Sequence, residues 1–368
     1  MEFKLTQNKL SKALNIVSKI AGGNKATLPV LNNVLIRAEE NNVSLSTTNL
    51  DIAIVDYLPV KPDEEGSVTV PARLLAEFVG NLPKNEEISI LTKDTKITIS
   101  AGKYKSVING TNADEFPEIP KIDEEKAIKF IMGVDEFKSG VNQIIMAASN
   151  DMTRPSLTGV YFNTFEKALY IAATDGYRLA ERKFIDKVES EIFAIVPASS
   201  LQEVLRSIND GVDEIEILFD DSQVIFRLGE IEITSKLIDA SFPDYRQLIP
   251  NNNEVVLQLK KDEMIRVTKL ASLFAREVGG SINLESKKDK GVLSVASVAN
   301  EYGENDSEIE TDVSENGKVT LNSRFLIDSL NALEENEIIL EFSGKLTPVV
   351  VRNSKSKKYT HIIMPLKS

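Results

Sequence analysis

Apolar residues recur along this chain with two periods. Leu10, Ala13, Leu14, Val17 and Ile20 fall at helical spacing between Thr6 and Ile20, with Lys9, Lys12 and Lys19 together on the other side. That pattern predicts an amphipathic helix after the extended run Glu2 to Thr6. Val68 to Leu82 reads as a short strand, a Pro suited to the first helical position, and a second amphipathic helix. Alternating runs at Glu87 to Leu91, Lys96 to Ser100 and Lys103 to Ile108 predict strands behind it.

Both phrases return twice in the same frame. Leu10, Phe137 and Met264 hold one place in three helices, each preceded by an extended run. The strand and helix of Val68 to Leu82 come back as Ala194 to Ile208 and as Val319 to Leu333, the last with Asn322 in place of Pro. Asn serves the same position by capping free N–H groups. The copies lie about 125 residues apart, too long for a solenoid unit, so each repeat is a whole domain. The expected class is α+β, three repeated domains of two helices packed on β-sheets, over residues 1–125, 126–252 and 253–368. The acidic, Pro-bearing stretch Glu115 to Glu125 predicts one linker and Asn251 to Asn253 a second. Glu301 to Glu315, rich in acid, predicts a solvated hairpin or loop. Apolar residues up to Leu366 predict a C-terminus packed against the fold.

Composition narrows the chemistry. With no cysteine there is no thiol nucleophile, disulfide or thiolate metal site, and His361 is the single histidine, expected on a strand with a satisfied nitrogen. No metal, cofactor or catalytic residue is expected, and no nucleotide loop, dinucleotide fingerprint, nucleophile elbow or zinc-protease motif occurs. No apolar run approaches the roughly 20 residues that span a bilayer, and the first residues lack a secretion pattern, so a cytoplasmic location without membrane contact is expected. Net charge is −13, which alone argues against a nucleic-acid partner. Its distribution argues otherwise: the six helical stretches (6–20, 71–81, 135–149, 198–209, 261–276 and 322–334) carry +3 between them and the remainder −16. That split predicts charge segregated by surface.

At Ala173 to Ala180, Ser241 to Tyr245 and Met364-Pro365-Leu366, taken with the threefold repeat, the sequence resembles the bacterial DNA sliding clamps, the β subunits of DNA polymerase III. The resemblance runs the whole length and includes Thr27 to Leu31 and Val70 to Arg73. It implies the DNA clamp fold and a head-to-tail homodimer closed into a ring, helices lining the hole and sheets outside. The implied function is that of a processivity factor with no active site of its own. It encircles duplex DNA without sequence preference and tethers the replicative polymerase, the clamp loader and repair proteins through a short apolar peptide. Two other readings stay open: an enzyme with an unrecognised carboxylate site between repeats, and a three-domain scaffold that does not encircle DNA.

Matched residue by residue, the resemblance implies a peptide groove using Leu157, Thr174, Gly176, Tyr177, Arg178, Leu179, Pro243, Leu248, Pro348, Ile363, Met364, Pro365 and Leu366. Tyr177 and Gln247 stand where relatives often carry His and Arg, and the Lys367-Ser368 ending is unusual. For DNA phosphates the implied contacts are Lys9, Lys12, Lys25, Arg73, Arg154, Arg266 and Lys269. For the dimer they are Lys103, Lys105, Val107 and Ile108 against Leu273 and Phe274, with Glu301 to Glu310 steering the two lysines.

Overall fold

In the computed structural model, which describes residues 1–22, 28–250, 252–276, 279–299 and 303–367, each repeat is laid out alike. The first runs β1 (Glu2–Thr6), α1 (Gln7–Val17), β2 (Asn33–Glu39), β3 (Asn42–Thr48), β4 (Ile52–Leu58), β5 (Gly66–Pro71), α2 (Ala72–Gly80), β6 (Glu87–Lys93), β7 (Lys96–Ala101) and β8 (Tyr104–Asn109). The second runs β9 (Ile128–Gly133), α3 (Val134–Ile145), β10 (Gly159–Phe165), β11 (Ala168–Thr174), β12 (Arg178–Ile185), β13 (Phe193–Pro197), α4 (Ala198–Ser207), β14 (Glu214–Phe219), β15 (Gln223–Leu228) and β16 (Ile231–Lys236). The third runs β17 (Val255–Lys260), α5 (Lys261–Ala275), β18 (Ser281–Lys287), β19 (Val292–Ala299), β20 (Gly303–Glu310), β21 (Gly317–Asn322), α6 (Ser323–Ala332), β22 (Glu337–Phe342), β23 (Val349–Asn353) and β24 (Tyr359–Ile363).

Local sequence explains these elements. Leu10, Ala13, Leu14 and Val17 are the buried face of α1, and Ile20 is buried from the turn that follows it. Asn322 caps α6, its side-chain oxygen accepting from Arg324 N at 2.9 Å and Phe325 N at 3.4 Å. Alternation sets the strands: Ile88 and Ile90 of β6 point into the core, as do Ile97 and Ile99 of β7.

Backbone contacts divide the chain into two compact units that cut across the repeats: Met1–Glu136 with Ser199–Leu237, and Phe137–Ala198 with Ile238–Ser368. Strand pairing is the cause. The first unit holds a four-stranded sheet, β1-β6-β7-β8, and an eight-stranded one, β5-β2-β3-β4-β16-β15-β14-β9, in which β4 of the first repeat pairs with β16 of the second. The second unit holds the eight-stranded sheet β13-β10-β11-β12-β24-β23-β22-β17, where β12 of the second repeat pairs with β24 of the third, and the four-stranded β20-β19-β18-β21. Every one of these ladders is antiparallel. Each eight-stranded sheet therefore belongs to two repeats.

One element differs from expectation. The stretch expected as a linker, Glu115 to Glu125, is strapped onto the first unit. Phe116 packs with Leu35 and Ala113, and Ile122 with Leu218 and Ile225, while Glu124 pairs with Arg227 at 2.6 Å. Its acids and prolines hid two buried apolar anchors. The acid-rich segment expected as a solvated hairpin or loop holds strand β20 along Gly303–Glu310, paired antiparallel with the preceding β19; Ile309, 2% exposed, is its inward anchor. His361 sits on β24 as expected, fully buried, one ring nitrogen 2.8 Å from the Tyr359 hydroxyl. Burial, helped by the nearby Arg178 charge, lowers its pKa to about 3 and keeps it neutral.

Candidate functional site

The turn between β11 and β12 is built by side chains bonding to their own backbone. Thr174 Oγ1 donates to Arg178 O at 2.6 Å and accepts from Gly176 N at 3.1 Å. Asp175 Oδ1 accepts from Tyr177 N at 2.9 Å and Arg178 N at 3.0 Å. Gly176 has φ +91°, a left-handed conformation that glycine takes up without strain, and a Cβ there would stand 3.3 Å from Arg154 Nη1, the end of a flexible side chain. The first repeat builds the same turn from Thr48 and Asn49, with Leu50 at φ +76° in the glycine position.

The C-terminal segment is tied beside this turn. Met364 N donates to Tyr177 O and Leu366 N to Thr320 O, both at 2.8 Å. In the β12–β24 ladder Leu179 faces Ile362, and with Ala172 and Tyr245 they form a buried floor against which Tyr161, Phe242 and Ile249 pack. Tyr161 and Phe242 stack at 4.7 Å. Tyr245 donates to Glu181 Oε2 at 2.5 Å and accepts from Asn163 at 3.1 Å. Burial and the Glu181 charge drive the tyrosine pKa up, and burial raises that of Glu181 against the opposing pull of Tyr245 and Arg246. Leu248, 48% exposed, ends the 3-10 turn begun by Tyr245, and Tyr177 is 60% exposed. An aliphatic floor with exposed apolar side chains and backbone groups at its edge suits an extended apolar peptide.

The first unit carries a concave basic surface. Lys12 of α1, Lys19 just past its end, Lys84 behind α2 and Arg206 of α4 line a hollow of about 450 Å³, among amide side chains and without a carboxylate in its wall. Arg206 is paired with Glu203 at 2.5 Å; the three lysines form no ion pair among the described residues. β8 is an edge strand of its sheet in the first unit, and β20 is an edge strand of its sheet in the second. On them Val107 is 56% exposed, and Val298, behind β20 on β19, equally so.

Family models of the DNA polymerase III β subunit match the N-terminal domain to residues 1–120, the central domain to 132–244 and the C-terminal domain to 246–367. The chain belongs to the DNA polymerase III β-subunit family. Proteins named β sliding clamp from Staphylococcus epidermidis and Staphylococcus aureus are 30% and 29% identical to it over 379 aligned positions, covering 100% of both chains. The crystal structure of the DNA polymerase sliding clamp from Bacillus subtilis is similar at a TM-score of 0.94 and 28% identity, covering 100% of this chain and 99% of that one. A sliding clamp from Bartonella birtlesii, solved bound to griselimycin, is similar at 0.92 and 26% identity over 100% of both chains.

Within this β-subunit fold the sequence-expected residues fall into place unevenly. Thr174, Gly176, Tyr177, Arg178, Leu179, Ile363 and Met364 come together around the turn. Pro348 precedes Val349, which faces Ile363 in the ladder, and Leu157, 8% exposed, lies in the 3-10 turn leading into β10. Arg178 is 9% exposed and bound to Asp175 Oδ2 at 3.1 Å, Asp328 Oδ2 at 2.7 Å and Met146 O, with Phe325 under its guanidinium at 4.6 Å. Its side chain therefore holds the turn onto α6. Arg154 is paired with Asp151 at 3.2 Å and abuts Gly176, so it belongs to the turn's surroundings. Lys9, Lys12, Arg73, Arg266 and Lys269 are exposed; Lys25 lies outside the described residues, as does Ser368. Ile108 is 6% exposed within the chain itself, facing Ile97, so strand parity leaves Val107 as the outward side chain. Sequence reasoning missed Lys84 and Arg206, which meet Lys12 and Lys19 only in three dimensions.

Proposed function

We propose that two copies of this chain join head to tail around duplex DNA, and that the ring tethers the replicative DNA polymerase and other DNA-processing proteins. The chain is then a sliding clamp and processivity factor acting in the cytoplasm, with chemistry left to the proteins it holds. One observation carries the reading. Positions covered at the joints inside the chain are exposed and apolar at its two ends. Ile16, Gln143 and Leu270 occupy one place in α1, α3 and α5 and are 5%, 4% and 44% exposed. Leu74 of α2, 52% exposed, answers to Ser200 of α4, 1% exposed. An unfilled third joint between copies accounts for both.

Internal symmetry also supplies a register for that joint. Ile52 faces Ser235 and Asp56 faces Ile231 at the first joint; Arg178 faces Ile363 and Arg182 faces Tyr359 at the second. Carried onto β20 and β8, these ladders set Gly303 opposite Ile108, Glu304 opposite Val107 and Asp306 opposite Lys105 of the partner subunit. Two pairs further, on the same face, Glu308 meets Lys103. Two lysines thus face two carboxylates, which favours one partner edge over others. Leu270, Leu273, Phe274 and Leu74 supply the apolar contact beside them.

The basic hollow and the exposed lysines of α1 and α5 give weak, sequence-independent attraction, and closure of the ring supplies retention. Partners, among them polymerase, clamp loader and repair proteins, dock a short apolar peptide on the floor of Leu179 and Ile362 beside Tyr177 and Leu248. Loading the protein on circular and on linear duplexes of one sequence tests the reading. Retention through gel filtration on the circle and loss after a single cut is expected. Equal retention on both would favour a scaffold that grips DNA without encircling it.

A further inference from the structure

Two positions that answer each other in the repeats carry opposite charge. Arg182 of β12 is 7% exposed, and its guanidinium reaches Ser139 Oγ at 3.0 Å and Glu334 Oε1 at 3.2 Å. Its counterpart in the first repeat, Asp56 of β4, is equally buried at 7%, yet its carboxylate has no hydrogen bond or ion pair among the described residues. The facing strands offer only Leu45 of β3 and Ile231 of β16. The charges that act on Asp56 are Glu230, in the turn before β16, and Lys12 of α1, which stands in the place of Ser139. Burial first, and then repulsion by Glu230, lift the carboxyl from 3.8 to about 6, while Lys12 pulls the other way. Lys12 also lines the basic hollow, whose own wall holds no acid.

We propose that Asp56 is a positioning residue for DNA contact: its carboxylate draws the Lys12 ammonium inward and weakens the hollow's hold on phosphate, which keeps the duplex free to slide. This rests on the reading that the hollow faces DNA. A sliding ring needs attraction without a lodging point, and a concave cluster of four cations is where phosphate would otherwise lodge. One buried negative charge beneath it acts without presenting an acid to the duplex.

The test is fluorescence anisotropy of a short labelled duplex against the full-length protein, across pH. Asp56→Asn is expected to tighten binding about threefold at neutral pH, the effect of one partly screened charge nearby. Wild-type affinity is expected to rise by a similar factor as pH falls through about 6, beyond the change seen in Asp56→Asn. In a Lys12→Ala background Asp56→Asn should change nothing. The proposal is overturned if Asp56→Asn shifts only the melting temperature, leaving affinity and pH profile at wild-type values, or if its effect survives Lys12→Ala. Should Lys12→Ala with Lys84→Ala leave duplex affinity intact, the hollow does not face DNA and the proposal falls with that reading.

Discussion

Leu270→Ala with Leu273→Ala removes the apolar contact proposed to join two copies while leaving each chain's core alone. The two side chains are 44% and 54% exposed, so about half of each remains to be buried by a partner. Full burial of a leucine contributes roughly 1.5 to 3 kcal/mol, which leaves about 1 kcal/mol per side chain for the joint. Two side chains at each of two joints make a closed ring about 3 to 6 kcal/mol less stable, or roughly a hundred- to ten-thousandfold in dimer dissociation constant. Analytical ultracentrifugation over a micromolar dilution series reads this directly, with a thermal melt to establish that the monomer stays folded. Expected are folded monomers where wild type sediments as a dimer. A folded double mutant with an unaltered dimer constant would refute both the helix contact and the symmetry argument behind it.

Further outcomes follow from the same residues. Lys105→Glu should slow dimer association several-fold in low salt and Asp306→Lys should do likewise, while the two together should restore much of the rate; a double mutant as slow as the sum of the singles would contradict the register. Deleting residues 364–368 removes the Met364 and Leu366 backbone ties and should abolish binding of a short apolar peptide without changing sedimentation, as measured by calorimetry. Asp56 affects stability as well. Because its folded pKa of about 6 exceeds the unfolded 3.8, the folded state binds the extra proton between those values, and stability from this group falls as pH rises through that window. The difference between Asp56→Asn and wild type in chemical denaturation should therefore be smallest below about pH 4 and approach about 3 kcal/mol in favour of the mutant above about pH 6.

How far the sequence reached depends on what each element needed. Helices were legible because a stripe such as Leu10, Ala13, Leu14 and Val17 is a one-dimensional signal, and the threefold recurrence multiplied it. Sheet sharing between repeats was not, since nothing in β4 or β16 alone says that Ile54 will face Ile233. Composition misled where a few apolar anchors sat among charges, as at Phe116 and Ile122. On the edge strand β8, period-two alternation separates Val107 from Ile108, which adjacency in sequence blurs. Arg178 was placed correctly at the turn, but its commitment to Asp328 and Met146, far along the chain, required the fold. The aligned column Ile16, Gln143 and Leu270 was present in the repeats from the start; only burial made it speak of a missing neighbour.

The absence of cysteine opens the most direct measurement of ring closure. Val107→Cys and Glu304→Cys place thiols at positions expected to face each other across the two joints, within the Cα separation a disulfide bridges. Oxidised after loading on a closed circular duplex, this variant should give a covalent dimer that stays with the circle through denaturing detergent and leaves when the circle is cut. Val107→Cys with Asn305→Cys, one residue out of register, should cross-link poorly. A covalent dimer that detergent strips from intact circles, or cross-linking that favours the out-of-register pair, would contradict the account.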